Sequence, residues 1–215
     1  MSRRRAMIGN RARLPIAYQE VEYIKSTGTQ YIDAGFAPTD ETGAKLSFYK
    51  DFFSTETENQ QAFFGALNDE GNRPFAFRLY NLNWQTYFVD ASDPHSKSWV
   101  PFPITGSVEM NFKNSRTCQL EQNGQKIQFS LSSLTYEWDS NLWIFAQNVG
   151  DTHTVMWNAR YCLKSMQITQ GNDLIRDFVP CYRVSDNVAG LYDLVNDVFY
   201  TNAGEGTFIV GGNVN

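Results

Sequence analysis

Apolar residues recur at every second position in several stretches of this chain, and the stretches are punctuated by Gly, Asn, Asp and Pro. Period two is what a strand with one buried face requires, because successive side chains leave a pleated strand on opposite sides. In residues 43–51, Leu46 and Phe48 fall on the opposite phase from Ser47 and Tyr49. In residues 74–80, Phe75, Phe77 and Leu79 share one phase while Ala76, Arg78 and Tyr80 share the other, and residues 107–112 set Val108, Met110 and Phe112 against Ser107, Glu109 and Asn111. Residues 117–122 and 125–129 flank Asn123-Gly124, a dipeptide that fits the two-residue type I′ hairpin; Cys118, Leu120, Ile127 and Phe129 are then expected to face inward. Further strands are expected at 141–147, 160–169 and 173–182, the last two separated by a reverse turn at 170–173. No helical period is sustained beyond about three turns, so any helix is a short connector. The pattern predicts an all-β sandwich of two antiparallel sheets.

Composition agrees with one packed domain. With 15% aromatic and only 19% charged residues in a chain of 215, neither disorder nor a coiled coil fits. The net charge of -5 hides a division: residues 1–13 carry Arg3, Arg4, Arg5, Arg11 and Arg13 with no acid, which leaves -10 on the rest. The expected partition is a basic N-terminal arm, residues 1–13, and a sandwich domain, residues 14–215. Such an arm is suited to an acidic partner, to which its arginines make charge-assisted contacts. The acidic body disfavours nucleic acid, which needs a basic surface. No apolar signal-peptide core follows the arginines and no run of about 18 apolar residues occurs, so neither secretion nor membrane spanning is expected. Three widely spaced cysteines, Cys118, Cys162 and Cys181, read by default as buried free thiols from a reducing cytoplasm, with one disulfide among them left open.

Both ends of the chain carry aromatic motifs. The first runs Tyr18-Gln19-Glu20-Val21-Glu22-Tyr23-Ile24-Lys25-Ser26-Thr27-Gly28-Thr29-Gln30-Tyr31-Ile32-Asp33. The second is Arg176-Asp177-Phe178-Val179-Pro180-Cys181-Tyr182-Arg183, leading into Gly190-Leu191-Tyr192-Asp193-Leu194 and Phe199-Tyr200-Thr201-Asn202. Ser26 to Thr29 reads as a tight turn that returns the first strand along a sheet edge. Pro180 implies an edge strand or a strand end, and Asn196-Asp197 implies a terminal hairpin. Together these motifs resemble the ends of a concanavalin A-like (laminin-G-like) jelly-roll domain carried by structural proteins of phages and prophages. The resemblance spans residues 14 to 210. It implies a jelly roll whose termini pair in adjacent strands, and a virion structural role as a capsid or tail decoration, fibre or adhesion module, made in the bacterial host cytoplasm. Other virion proteins would then be partners, held through the arginine arm, and a homo-oligomer is compatible with a fibre module.

A search for chemistry leaves little. His95 and His153 alone cannot build a several-histidine metal site, and Asp151 and His153 have no supporting nucleophile or third ligand. Glycosidase relatives of the resembled fold use a cluster of three carboxylates; Glu137-Trp138-Asp139 lacks the third, and Glu56, Glu58, Asp69 and Glu70 read as solvated charge. The chain is therefore read as non-enzymatic. No cofactor is expected, although a single calcium site built from backbone carbonyls leaves no mark in a sequence. For host-surface or mucin glycans the useful groups are exposed aromatics beside Asn, Asp and Gln. Trp84, Tyr87, Asp93 and Trp99 are the candidates. Trp138, Trp143 and Trp157 are assigned to the core.

Overall fold

The computed structural model describes residues 14–50, 60–67, 74–80, 83–88, 95–98, 104–111, 117–122, 125–130, 138–150, 154–156 and 158–214. Its strands, in chain order, are β1 (Tyr18–Glu20), β2 (Ile24–Lys25), β3 (Ile32–Asp33), β4 (Thr42–Lys50), β5 (Gln60–Leu67), β6 (Pro74–Tyr80), β7 (Asn83–Phe88), β8 (His95–Ser98), β9 (Ile104–Asn111), β10 (Thr117–Gln122) and β11 (Gln125–Ser130). They continue with β12 (Trp143–Ile144), β13 (Gln147–Val149), β14 (Thr154–Met156), β15 (Cys162–Gln170), β16 (Asp173–Arg183), β17 (Ala189–Asp193), β18 (Val198–Thr201) and β19 (Ile209–Val210). The larger sheet has the order β11-β10-β9-β4-β15-β16-β17-β18, with β1 on β16 and β2 between β15 and β19. The smaller has the order β14-β13-β5-β6-β7-β8, with β12 joining β3 to β5. Among the described residues, strand pairing is antiparallel except where β13 meets β5, and an isolated bridge between Ala62 and Asn158 is also parallel.

The alternation seen in the sequence decides which face of each sheet is dry. On β4, Ala44, Leu46 and Phe48 enter the core while Lys45, Ser47 and Tyr49 remain at least partly exposed. Phe64, Phe75 and Phe77 face them from the smaller sheet. Phe63 links the layers: its ring lies edge-on to Phe48 at 5.0 Å and stacks on Tyr161 at 4.3 Å. Each such ring contributes about 1.5–3 kcal/mol on burial. Tyr161 is fully enclosed and satisfies its hydroxyl by donating to the Phe63 carbonyl at 2.9 Å. Lys50 is also interior, where its ammonium donates to Gln61 Oε1 at 2.8 Å and to the Arg160 carbonyl.

The termini close the larger sheet side by side: Ile24 and Lys25 pair with Val210 and Ile209, and Val21 bridges Asn213. The N-terminal motif does not simply return along one edge, as the sequence suggested. Its β1 and β2 belong to the larger sheet, whereas β3 crosses to the smaller and pairs with β12. Pro180 departs from expectation too, lying inside the eleven-residue β16. The strand tolerates it because β15 pairs with β16 as far as Phe178 and β1 begins its pairing at Cys181. The Pro180 carbonyl accepts from Val21 in that gap, and a residue's N–H and C=O share one side of a strand, so the missing donor faces Val21, just beyond the end of the β1 pairing, and the ladder to β17 keeps all its bonds.

The stretch 141–147 is two short strands rather than one, because Phe145 adopts φ 72° between them. The hairpin at Asn196-Asp197 forms as expected, with Asp197 at φ 57°. β10 and β11 pair across 123–124 in the expected register, and Gln119, Glu121, Lys126 and Gln128 are exposed on them. The inward placement of Cys118, Leu120, Ile127 and Phe129 lies outside the described side chains. Cys162 and Cys181 are buried free thiols. Burial pushes the Cys181 thiol up to about 12, partly offset by the Tyr192 backbone.

Candidate functional site

The outer face of the larger sheet carries a trough across β4, β15 and β16. Its floor is short. Ser47 pairs with Ser165, so two hydroxymethyl groups sit side by side where neighbouring positions hold longer side chains. One wall is the row formed by Lys45, Gln167 and Asp177, which are opposite one another in register; Gln167 Nε2 donates to Asp177 Oδ1 at 3.2 Å. These residues, with Val179 and Leu194 toward β17, line a cleft of about 260 Å³.

The other wall is aromatic. Tyr49 is the next outward residue of β4 after Ser47, and with Tyr23, Glu22 and Lys164 it lines a more open cleft of about 560 Å³. Lys164 is there because the register between β15 and β4 slips between Leu163 and Ser165, leaving it as the extra residue; a bulge re-aims a side chain in this way. Glu22 and Tyr23 are held by the C-terminal segment: Glu22 N–H donates to the Gly212 carbonyl at 2.8 Å and Gly211 N–H to the Tyr23 carbonyl at 2.9 Å. Lys45 to Tyr49 spans roughly 13 Å of strand, and the outward phase of β4 runs from one cleft to the other, although they share no lining residue. Serine hydroxyls both donate and accept, Gln167 supplies both amide functions, Asp177 accepts and Lys45 donates. Tyr23 and Tyr49 are half-buried rings. The array suits a polyhydroxylated ligand better than an apolar one.

A separate polar cluster occupies the smaller sheet. Trp143 stacks on Tyr31 at 4.2 Å, and Asn141 Nδ2 donates to Asp33 Oδ2 at 3.2 Å. Burial, and then the charge of Asp33, raise the Tyr31 hydroxyl above its ordinary value. Trp143 Nε1 and both amide atoms of Gln147 are buried without a hydrogen-bond partner. Among the described residues no group of three or more His, Cys, Asp or Glu is gathered to hold a metal ion, and no helix is long and apolar enough to cross a membrane.

Fold comparison places the chain among sandwiches of this kind. A structure of a candidate carbohydrate-binding protein from Bacteroides ovatus superimposes with a TM-score of 0.56 at 10% identity, over 91% of this chain and 62% of the other. This chain therefore spans less than two thirds of that protein. The CBM40 domain of the Ruminococcus gnavus IT-sialidase, bound to α2,3-sialyllactose, gives 0.49 at 18% identity over 74% of this chain and 92% of that one. Domains LG4-5 of the mouse laminin α1 chain give 0.49 at 10% identity over 80% and 48%. No family model matches the sequence, and no curated protein does. The fold is an all-β jelly-roll sandwich of two sheets.

Few of the residues singled out from sequence are among the described residues. Arg3, Arg4, Arg5, Arg11, Arg13, Asp93 and Trp99 fall outside the described residues, as do Glu137, Asp151, His153 and Trp157. Trp84 and Tyr87 are on β7 of the smaller sheet, opposite Leu79 and Ala76 of β6. His95 begins β8 opposite Thr86. Trp138 and Trp143 are buried, as expected, and Asp139 is exposed. The trough residues escaped the sequence reading, although the outward phase of β4, Lys45-x-Ser47-x-Tyr49, was its one visible trace.

Proposed function

We propose that this chain is a carbohydrate-binding module that takes a glycan along the outer face of its larger sheet. One observation carries the reading: a serine floor between a wall of Lys45, Gln167 and Asp177 and a wall of Tyr23 and Tyr49. Hydroxyls of a sugar find donors and acceptors on one side of that trough, and ring faces find tyrosines on the other. The likeness to a Bacteroides ovatus structure described as a candidate carbohydrate-binding protein supports the same reading. Host-surface and mucin glycans are the ligands in view, and no catalytic step is part of the proposal.

A glycan array probed with the full chain tests this. Retention of a defined set of bacterial or mucin glycans is expected, and silence across both classes would remove the reading. A virion structural role is supported by the terminal motifs' resemblance to phage jelly-roll proteins, and it is compatible with glycan binding. If deleting residues 2–13 left incorporation into particles unchanged, the arginine arm would not be the anchor.

A further inference from the structure

The more open cleft holds two opposite charges. Glu22 and Lys164 both line it, both are exposed, and among the described residues no ion pair joins either to any partner. Two charges that share a cleft without neutralising each other present a separated negative and positive point to whatever enters. Tyr23 and Tyr49 stand in the same wall, and the face of a tyrosine ring attracts an alkylammonium within about 6 Å of its centroid. A carboxylate beside such rings strengthens the pull on a cation, while the Lys164 ammonium, aimed inward by the bulge, favours an anion.

We propose that this cleft seats a zwitterionic group, an alkylammonium joined to a phosphate by a short linker, carried as a substituent on the glycan that lies in the trough. The cation rests against Tyr23, Tyr49 and Glu22, and the phosphate meets Lys164. This rests on the glycan reading but makes a narrower claim. The half-site for the cation is built rather than incidental. Gly211 and Gly212 bond to the backbone of Tyr23 and Glu22, and a methyl group on Gly211 would come within 2.8 Å of the Tyr23 ring and 3.1 Å of Glu22 Cβ. Only a residue without a side chain lets the C-terminal segment lie so close, and that contact sets the Tyr23 ring and the Cβ of Glu22 in place before any ligand arrives.

The test is titration of the full chain with phosphocholine, with choline and inorganic phosphate as separate arms and a glycan array run in parallel. Phosphocholine is expected to bind at least roughly tenfold tighter than either half alone, and Glu22→Gln and Lys164→Met are each expected to weaken it by about tenfold. Both positions are exposed, so the thermal midpoint should not move, and a shifted midpoint would replace Lys164→Met by Lys164→Gln. The proposal is overturned if phosphocholine binds no tighter than choline or phosphate, or if neither variant changes it. Glycans retained on the array without any response to phosphocholine would remove this subsite alone; loss of both would remove the trough reading with it.

Discussion

Gly211 lies against the ring of Tyr23 so closely that an added Cβ would sit 2.8 Å from both Cδ1 and Cε1. Neighbouring Gly212 is less confined, its nearest contacts being the end of the Glu22 side chain at 3.5 Å. Gly211→Ala is therefore expected to destabilise the fold by about 1–3 kcal/mol, as overpacking does, whereas Gly212→Ala should stay within about 0.5 kcal/mol of the parent. Urea unfolding of the two variants measures the difference. Equal effects would mean that the Tyr23 contact does not hold the seam.

Filling the trough should weaken binding without unfolding the protein. Ser47 is only partly buried and its outward position has room above it, so Ser47→Leu is expected to leave stability within about 0.5 kcal/mol while weakening glycan binding by roughly tenfold or more. Gln128→Ala, exposed on β11, is the control that should bind normally. Binding by both variants at the parental level would clear the serine floor of any role.

Alkaline pH should weaken the fold through its buried phenols. Burial raises the Tyr161 hydroxyl well above its ordinary value, partly offset by the Phe145 backbone. Tyr192 is raised mainly by burial and next by the charge of Asp197. The folded state keeps these protons after the unfolded chain begins to lose them near pH ~10. Their stabilisation is thus complete below that pH and declines above it. Tyr161→Phe removes one of two donors to the Phe63 carbonyl, which still accepts from Phe145 N–H at 2.8 Å; the loss costs about 0.5–1.5 kcal/mol at neutral pH, and the variant's stability should fall less steeply above pH ~10. Denaturant midpoints across the alkaline range read both effects.

Asp193 should prove the least replaceable acid of the C-terminal motif. It is wholly buried, accepts from Asp177 N–H at 2.9 Å, Val195 N–H at 3.0 Å and Asn196 Nδ2 at 2.7 Å, and lies 3.6 Å from Arg176 Nε. Arg176 in turn reaches the Ala34 carbonyl and lies over the Phe36 ring. Asp193→Ala strands that guanidinium and two backbone N–H groups, for an expected loss of about 3–5 kcal/mol. A thermal or urea transition unchanged within error would show that the pair is dispensable.

These relationships differ in how far they could be read beforehand. The two faces of β4 were plain, because Leu46 and Phe48 alternate with Ser47 and Tyr49 within one strand, and the Asn196-Asp197 hairpin was plain for the same local reason. The trough was not. Ser47 meets Ser165, and Glu22 and Lys164 come to line one cleft, only after distant segments pair, and the bulge that turns Lys164 into the cleft has no local signature. Pro180 misled because its tolerance depends on a gap left between β15 and β1, and the break at Phe145 because a bulky residue at positive φ is uncommon.

The most direct measurement is a map of backbone amide shifts on adding a glycan selected from the array. If the trough is the binding face, the largest changes fall on Ser47, Tyr49, Ser165 and Gln167. Changes confined to β6, β7 and β8 around Trp84 and Tyr87, with the larger sheet silent, would contradict it.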